Sequence, residues 1–266
     1  MPIEAALAPL AGHPAADERI PFLGLRFDRH DFRALVDELA SWPRASFRYI
    51  VTPNVDHIVR LWNDEDRGGG VWNAYREAPV CVCDSRILAA IARSMGISLP
   101  VVPGSDLTAA LFERVIKAGD RIAIVGSGSE TMAAMQALYP GVEFVQHIPP
   151  MGMRRRPEAM EAAARWIEEA DARFTFLAVG SPQQELLAAM VARRGRARGT
   201  ALCIGAAINF LTGESRRAPA LFQRLGLEWA HRLLSEPRRL WRRYLVEGPK
   251  IFAIARRWRR EVSRHG

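Results

Sequence analysis

The sequence predicts an α/β fold, a mainly parallel sheet flanked by helices and followed by a basic helical appendage. Three observations predict it. Short apolar runs alternate with longer helical periodicities from Ile20 to about Gly213. Each run ends in polar or glycine residues that lead straight into a helix, which is the layout of a parallel sheet covered on both faces. After Gly213 the pattern turns helical throughout and the charge changes abruptly. Residues 215–266 carry 14 Lys/Arg against 4 Asp/Glu, while the rest of the chain holds 23 against 25. The architecture is Rossmann-like, and sites in such sheets lie at the carboxyl ends of the strands.

The elements follow in order. Residues 1–19 open with Ala, Pro, Gly and His and read as a loose leader without a secretory signal. "FRYIVTPNVDHIVRLW" gives a strand, a turn at Thr52-Pro53-Asn54, and a helix with Val55, Ile58, Val59 and Trp62 on one face. "APVCVCDSRILAAIARSMG" repeats the plan, with a helix closed by Gly96. "RIAIVGSGSETMAAMQALYPG" and "FTFLAVGSPQQELLAAMVARRG" repeat it twice more, and "TALCIGAAINFLTG" adds a further apolar run. The 266 residues, 49% hydrophobic, suffice for one large domain with an appendage, and no apolar run reaches the ~18–20 residues of a membrane span.

Three cysteines are too few and too scattered for a zinc site, and Cys81 and Cys83 share one face of a strand as buried thiols. Neither a metal nor a cofactor is expected. "NDEDRGGG" holds Asp64-Glu65-Asp66, which reads as a solvated helix end and loop. "VGSGSETMAA" places Gly126 and Gly128 as in a dinucleotide-binding turn, but Thr131 stands where a third glycine belongs. Phosphate or ribose binding there remains open beside a purely structural turn. Asp84, at a strand end, is either a helix cap or a working carboxylate, and Ser85 beside it could cap equally well. In "VGSPQQE", Ser181 would cap, Pro182 would fill the first turn, and Gln184 would reach back as in a capping box, unless a side chain there faces the cleft.

The tail breaks at Pro237 and Pro249. Its last segment aligns Ile251, Ile254, Ala255 and Trp258 into an apolar stripe flanked by Arg256, Arg257, Arg259, Arg260 and Arg264. That pattern is expected of a helix lying on an anionic membrane, and the alternative is a helix packed on its own domain. A nucleic-acid-binding protein would explain the basic tail but not the polar strand ends, so no nucleic-acid partner is expected.

From about residue 20 to 245 the chain resembles the WecG/TagA/CpsF glycosyltransferases, glycosyltransferase family 26. The resemblance rests on "TPNVDHI", "CDSRIL", "PGSDLT", "YPG" and "VGSPQQE", followed in family order by "RAP", "GLEW", "RLLSEPRRL" and "RRYL". It implies an inverting, metal-independent transfer of a sugar from a UDP-sugar to a polyprenyl-diphosphate-linked sugar. The setting would be the cytoplasmic face of the bacterial inner membrane. Asp84 matches the proposed base. Thr52, Asn54 and Gln184 match residues that line the pocket, Gly104 and Asp106 fall in a Gly-x-Asp-Leu element, and Glu185 ends the Gly-x-Pro-x-Gln-Glu element. Separately from the resemblance, the turn at Gly126 and Gly128 is expected to admit the nucleotide backbone. Arg232, Arg239 and Arg242 match arginines of an appendage, here residues 214–266, that closes over the catalytic domain at residues 20–213. Spacings of seven and three put those arginines on one helical face if Pro237 leaves the helix unbroken. The anionic membrane and a further copy of the chain are the implied partners. "CDSRIL" looks most like the branch of xanthan-type exopolysaccharide synthesis, with glucose as donor sugar, against the N-acetylmannosaminyl and N-acetylmannosaminuronyl branches. The chain departs from the family pattern at Ser85, Val101 and Asn209.

Overall fold

A computed structural model of the chain describes residues 19–63, 69–214, 222 and 228–264. Asp64, Glu65 and Asp66, and the leader up to residue 18, lie outside the described residues. The chain enters through a hairpin, β1 (Ile20–Phe22) and β2 (Leu25–Phe27), paired antiparallel with Phe22 opposite Leu25. Its two turn residues, Leu23 and Gly24, both take positive φ (51° and 86°), as the twist of a two-residue hairpin demands. A Cβ on Gly24 would lie 3.1 Å from the Trp72 ring, so packing as well as φ calls for glycine.

The main sheet has six strands: β3 (Phe47–Val51), β4 (Val80–Cys81), β5 (Arg121–Gly126), β6 (Glu143–His147), β7 (Phe174–Ala178) and β8 (Gly199–Cys203). Their order is β4-β3-β8-β7-β5-β6, and all pairs are parallel. Between them run α1 (Phe32–Ser41), α2 (Val55–Asn63), α3 (Gly70–Arg76), α4 (Arg86–Ser94), α5 (Gly104–Ala110), α6 (Ser129–Leu138), α7 (Pro157–Ala170), α8 (Gln183–Arg194) and α9 (Ala207–Leu211).

Successive strand residues feed opposite faces. Tyr49, Val51, Cys81, Cys83, Ala201 and Cys203 join one core with residues of α2, α3, α4, α7 and α8. Ile50, Val80, Val82, Ile122, Ile124 and Leu202 join the other, under α1, α5, α6 and α9. All three cysteines are free and buried, and burial pushes the Cys83 thiol up to about 12 and the other two well above the usual range. They are neutral packing groups, as the face shared by Cys81 and Cys83 suggested for those two.

The tail corrects two expectations. Pro237 starts a new helix, Pro237–Trp241, and Glu236 before it leaves the helical region at φ −134°, ψ 61°. The helix Glu228–Ser235 therefore ends there, and the spacings of seven and three do not lie on one continuous helix. A wider π-type turn, Arg242–Glu247, leads to the last helix, Lys250–Val262. Ile251, Ile254 and Ala255 of that helix are buried in the same core as Tyr49 and Cys203, and Trp258 meets the Phe22 ring edge-on at 5.3 Å. The apolar stripe thus faces its own domain, not a membrane. Amphipathic periodicity specifies a buried face without specifying what buries it, and here the hairpin and α2 supply the partner.

Candidate active site

Four strand ends converge at the carboxyl edge of the sheet. The segment after β4 is stitched to two neighbours. Val82 N–H donates to the Val51 carbonyl (3.0 Å) and Asp84 N–H to that of Pro53 (3.1 Å). On its other side, Val102 N–H donates to the Cys83 carbonyl (2.8 Å). This threading fixes Asp84 beside the first turn of α5, where its Oδ1 accepts from Gly104 N–H at 3.2 Å. The two readings of Asp84 separate here. Ser85 is the N-cap of α4, its Oγ accepting from Leu88 N–H at 3.2 Å. A residue at which the chain departs from the family pattern thus does the capping. Asp84 stays half-buried beside the first residue of α5.

Thr52 and Gly104 lie against one another, since a Cβ on Gly104 would come 3.1 Å from Thr52 Oγ1. The Thr52 hydroxyl donates to the Cys203 carbonyl at 3.3 Å, which ties β3 to the end of β8. Asn54 Oδ1 accepts from Asp56 N–H (3.1 Å) and His57 N–H (3.3 Å), capping α2. The cap uses the oxygen, so the NH2 is what Asn54 has left to offer a ligand. Asp106 sits half-buried in the first turn of α5 and accepts from Ser105 Oγ at 3.3 Å.

The capping-box reading of Gln184 is overturned. Helix α8 starts after Pro182 with no side-chain cap. Gln184 is 1% exposed and bridges two elements, its Oε1 accepting from Gly205 N–H (3.0 Å) and its Nε2 donating to Glu185 Oε1 (2.9 Å). Ser181 Oγ shares a hydrogen bond with Tyr75 OH (3.1 Å) instead of capping. Glu185 is fully buried behind Gln184, with the Tyr75 phenol and Cys203 thiol around it, so it supports the site from beneath and does not reach its surface. Burial raises its carboxyl above the ordinary range against the hydrogen bond from Gln184, which favours the protonated form. Hydrogen bonds and one tight glycine contact link Asp84, Gly104, Thr52 and Cys203; two residues along the chain from Cys203, Gly205 is hydrogen-bonded to Gln184, which in turn bonds Glu185.

The Gly126-Ser127-Gly128 turn lies further along. Chain order carries β5 outward to β6 and β7 inward to β8, so a crevice opens between the ends of β5 and β7. Gly126 has φ +96°, and a Cβ there would meet the Ala178 carbonyl at 2.9 Å. Ser127 is also left-handed (φ 58°). Gln146 of β6 donates from Nε2 to the carbonyls of Gly126 (3.0 Å) and Gly128 (3.2 Å). With its carbonyls held from that side and no side-chain cap on α6, the turn presents backbone N–H groups suited to an anion. Thr131, at the third glycine position, is buried at 1% exposure.

Arg242 is exposed at the start of the π-type turn. The side chains of Arg232 and Arg239 lie outside the described residues. Sequence reasoning missed Gln146 and the charged group of Asp56, Arg60 and Arg243. Asp56 and Arg60 carry the visible signature of an i,i+4 pair on α2, whereas Arg243 comes from far along the chain and has none.

Compared with known protein families, residues 20–265 match the model of the glycosyl transferase WecG/TagA/CpsF family. The chain belongs to that family and is a glycosyltransferase of cell-surface glycan synthesis; the match takes in the last helix, beyond the 20–245 stretch of the motifs.

Proposed function

We propose that this family member moves a sugar, glucose in the favoured reading, from a UDP-sugar to a polyprenyl-diphosphate-linked sugar, with inversion and without a metal. The observation that carries the reading is Asp84, which leaves the α4 cap to Ser85 and is held against Gly104 and the Thr52 turn. In this mechanism Asp84 takes the proton from the acceptor hydroxyl as that oxygen bonds to the anomeric carbon. The bond from that carbon to the diphosphate oxygen breaks on the opposite face, and UDP leaves. Base assistance of this kind is worth roughly 10²–10⁴-fold. Thr52, Asn54 and Asp106 orient the sugars, with Gln184, itself braced by Glu185, fixing the Gly205 loop beneath them. The Gly126–Gly128 turn and the start of α6 receive the nucleotide's phosphates. The arginines of the appendage, Arg232, Arg239 and Arg242, meet the charge of the diphosphates.

The acceptor's lipid requires a bilayer within reach. No helix among the described residues is long and apolar enough to cross a membrane. The appendage does leave Leu234, Trp241, Leu245, Val246 and Phe252 exposed, among Arg238, Arg242 and Arg256. These apolar residues differ from the buried stripe of the last helix. Together with the cations they support a peripheral contact with the anionic cytoplasmic leaflet, where each basic residue contributes about 1 kcal/mol.

The test incubates the full chain with a short-chain prenyl-diphosphate-glucose and a panel of UDP-sugars, with and without EDTA. UDP release, product mass and anomeric configuration are followed. One donor giving an inverted disaccharide lipid in EDTA is expected. Transfer only from N-acetylmannosaminyl donors would replace the glucose reading, and a retained configuration would refute the single displacement.

A further inference from the structure

One charged group joins the appendage to the catalytic domain at a place where two site loops meet. Asp56, in the first turn of α2, has a side chain only 15% exposed and takes two guanidiniums. Arg60 approaches from one turn further along α2, and Arg243 approaches from the π-type turn, with Nη2 at 3.2 Å from Oδ2. The pair is connected on both sides. Asp56 N–H is held by the Asn54 side chain (3.1 Å), and Arg60 Nη1 donates to the Ser181 carbonyl (2.8 Å), three residues before Gln184. From Arg243, therefore, a continuous path of hydrogen bonds and ion pairs runs to the Thr52–Asn54 turn and to the loop between β7 and α8. The buried His57 ring is driven well below its usual range, by burial first and then by the charges of Arg60 and Arg243. A neutral imidazole there leaves Asp56 as the anion for both arginines.

The segment that carries Arg243 has a second face. Tyr244 lies under the Arg243 guanidinium at 5.5 Å, and its ring meets Trp229 at 6.1 Å, whereas Trp241, Leu245 and Val246 are exposed. The inward side bears the joint, and the outward side bears the apolar groups assigned above to the membrane.

We propose that Asp56 and Arg243 are positioning residues for sugar transfer. Their ion pair seats the appendage so that the neighbouring Arg242 is held over the cleft in register with Asn54 and Gln184. This rests on the transferase reading above and adds to it the contact that couples appendage to site. Both residues lie inside stretches that carry the resemblance, "TPNVDHI" and "RRYL", but neither is among the residues matched to the pocket or to the three appendage arginines. Their role is inferred from contacts alone. A bilayer holding the outward face would press on the same joint, so membrane contact and site geometry share one short segment.

The experiment is a double-mutant cycle with Arg243→Gln and Asp56→Asn in the full chain, read by two independent measurements. Steady-state transfer gives kcat and KM for the donor, and hydrogen exchange reports residues 228–262 against the sheet. Each single variant is expected to lower kcat on the order of tenfold with donor KM little changed, and the double variant to lose no more than the worse single. Exchange in residues 242–262 should quicken while strands β3, β5, β7 and β8 keep their protection. Arg243→Lys should restore part of the loss, since it keeps the charge but not the fork. Losses that multiply in the double variant, or tail exchange unchanged in both single variants, would overturn the proposal. Uniform loss of protection in the sheet would also overturn it, because Asp56 would then serve only stability. If the wild-type chain transfers no sugar, the proposed function fails, and the exchange measurement still decides the joint.

Discussion

The sharpest prediction contrasts two adjacent residues, Asp84→Asn and Ser85→Ala. The asparagine keeps an oxygen to accept from Gly104 N–H, now at 3.2 Å, and leaves the Ser85–Leu88 cap untouched. What it loses is a negative charge at the start of α5, worth about 0.3–1 kcal/mol. In a domain of this size about 1 kcal/mol shifts Tm by roughly 2–4 °C, so the melting point should fall by no more than that. Turnover should fall by roughly 10²–10⁴, because the amide cannot accept the acceptor's proton. Ser85→Ala should do the reverse. It removes the α4 cap at about 1 kcal/mol, lowers Tm by a similar few degrees, and keeps turnover within a few-fold. Differential scanning fluorimetry beside the prenyl-diphosphate transfer assay checks both variants. The reasoning is refuted if Asp84→Asn retains wild-type kcat, or if Ser85→Ala abolishes transfer without disturbing the fold.

Four further expectations accompany it. Gly126→Ala should lower stability by about 1–3 kcal/mol and weaken UDP binding, measured by thermal melting and calorimetry, because φ +96° and the Ala178 carbonyl at 2.9 Å both oppose a Cβ. The buried His57 is held neutral where the unfolded chain's histidine takes up a proton, so stability should fall as pH drops below about 6.5. His57→Gln should flatten that acid limb in urea titrations across pH. Glu185 titrates in the opposite sense: its raised carboxyl keeps a proton that the unfolded chain releases above about pH 4.3, so this group costs stability as pH rises from there, and Glu185→Gln should remove that trend while Glu185→Ala loosens Gln184 and lowers kcat. Finally, Trp241→Ser with Phe252→Ser should weaken co-sedimentation with anionic vesicles without lowering Tm. Ile254→Ser should lower Tm by several degrees, since Ile254 belongs to the core and the other two are exposed.

Much of the catalytic domain was legible from the order of residues because its information is local. The β3–α2, β5–α6 and β7–α8 units each announce themselves by an apolar run, a polar break and a helical period, and the structure has all of them. The ordered motifs pointed to the family that residues 20–265 match. The sequence did not show the hairpin at Leu23–Gly24, which is too short to display a period. It also left Asp84 and Ser85 equal as caps. Only the threading of residues 82–84 between two neighbouring segments gives the α4 cap to Ser85 and sets Asp84 against Gly104. The sequence leaves Gln184 between a local cap and a cleft-facing side chain, and its amide instead bonds a backbone group 21 residues away. The stripe of the last helix likewise carried its periodicity in the sequence but not its partner. Phe22 and the core around Tyr49 provide that partner, and Arg243 finds Asp56 by the same means. Periodicity and capping chemistry act over one or two turns, so the chain's order determines them. Which apolar face meets which, and which ion pairs with which, depends on segments far apart in sequence, and only the folded chain decides it.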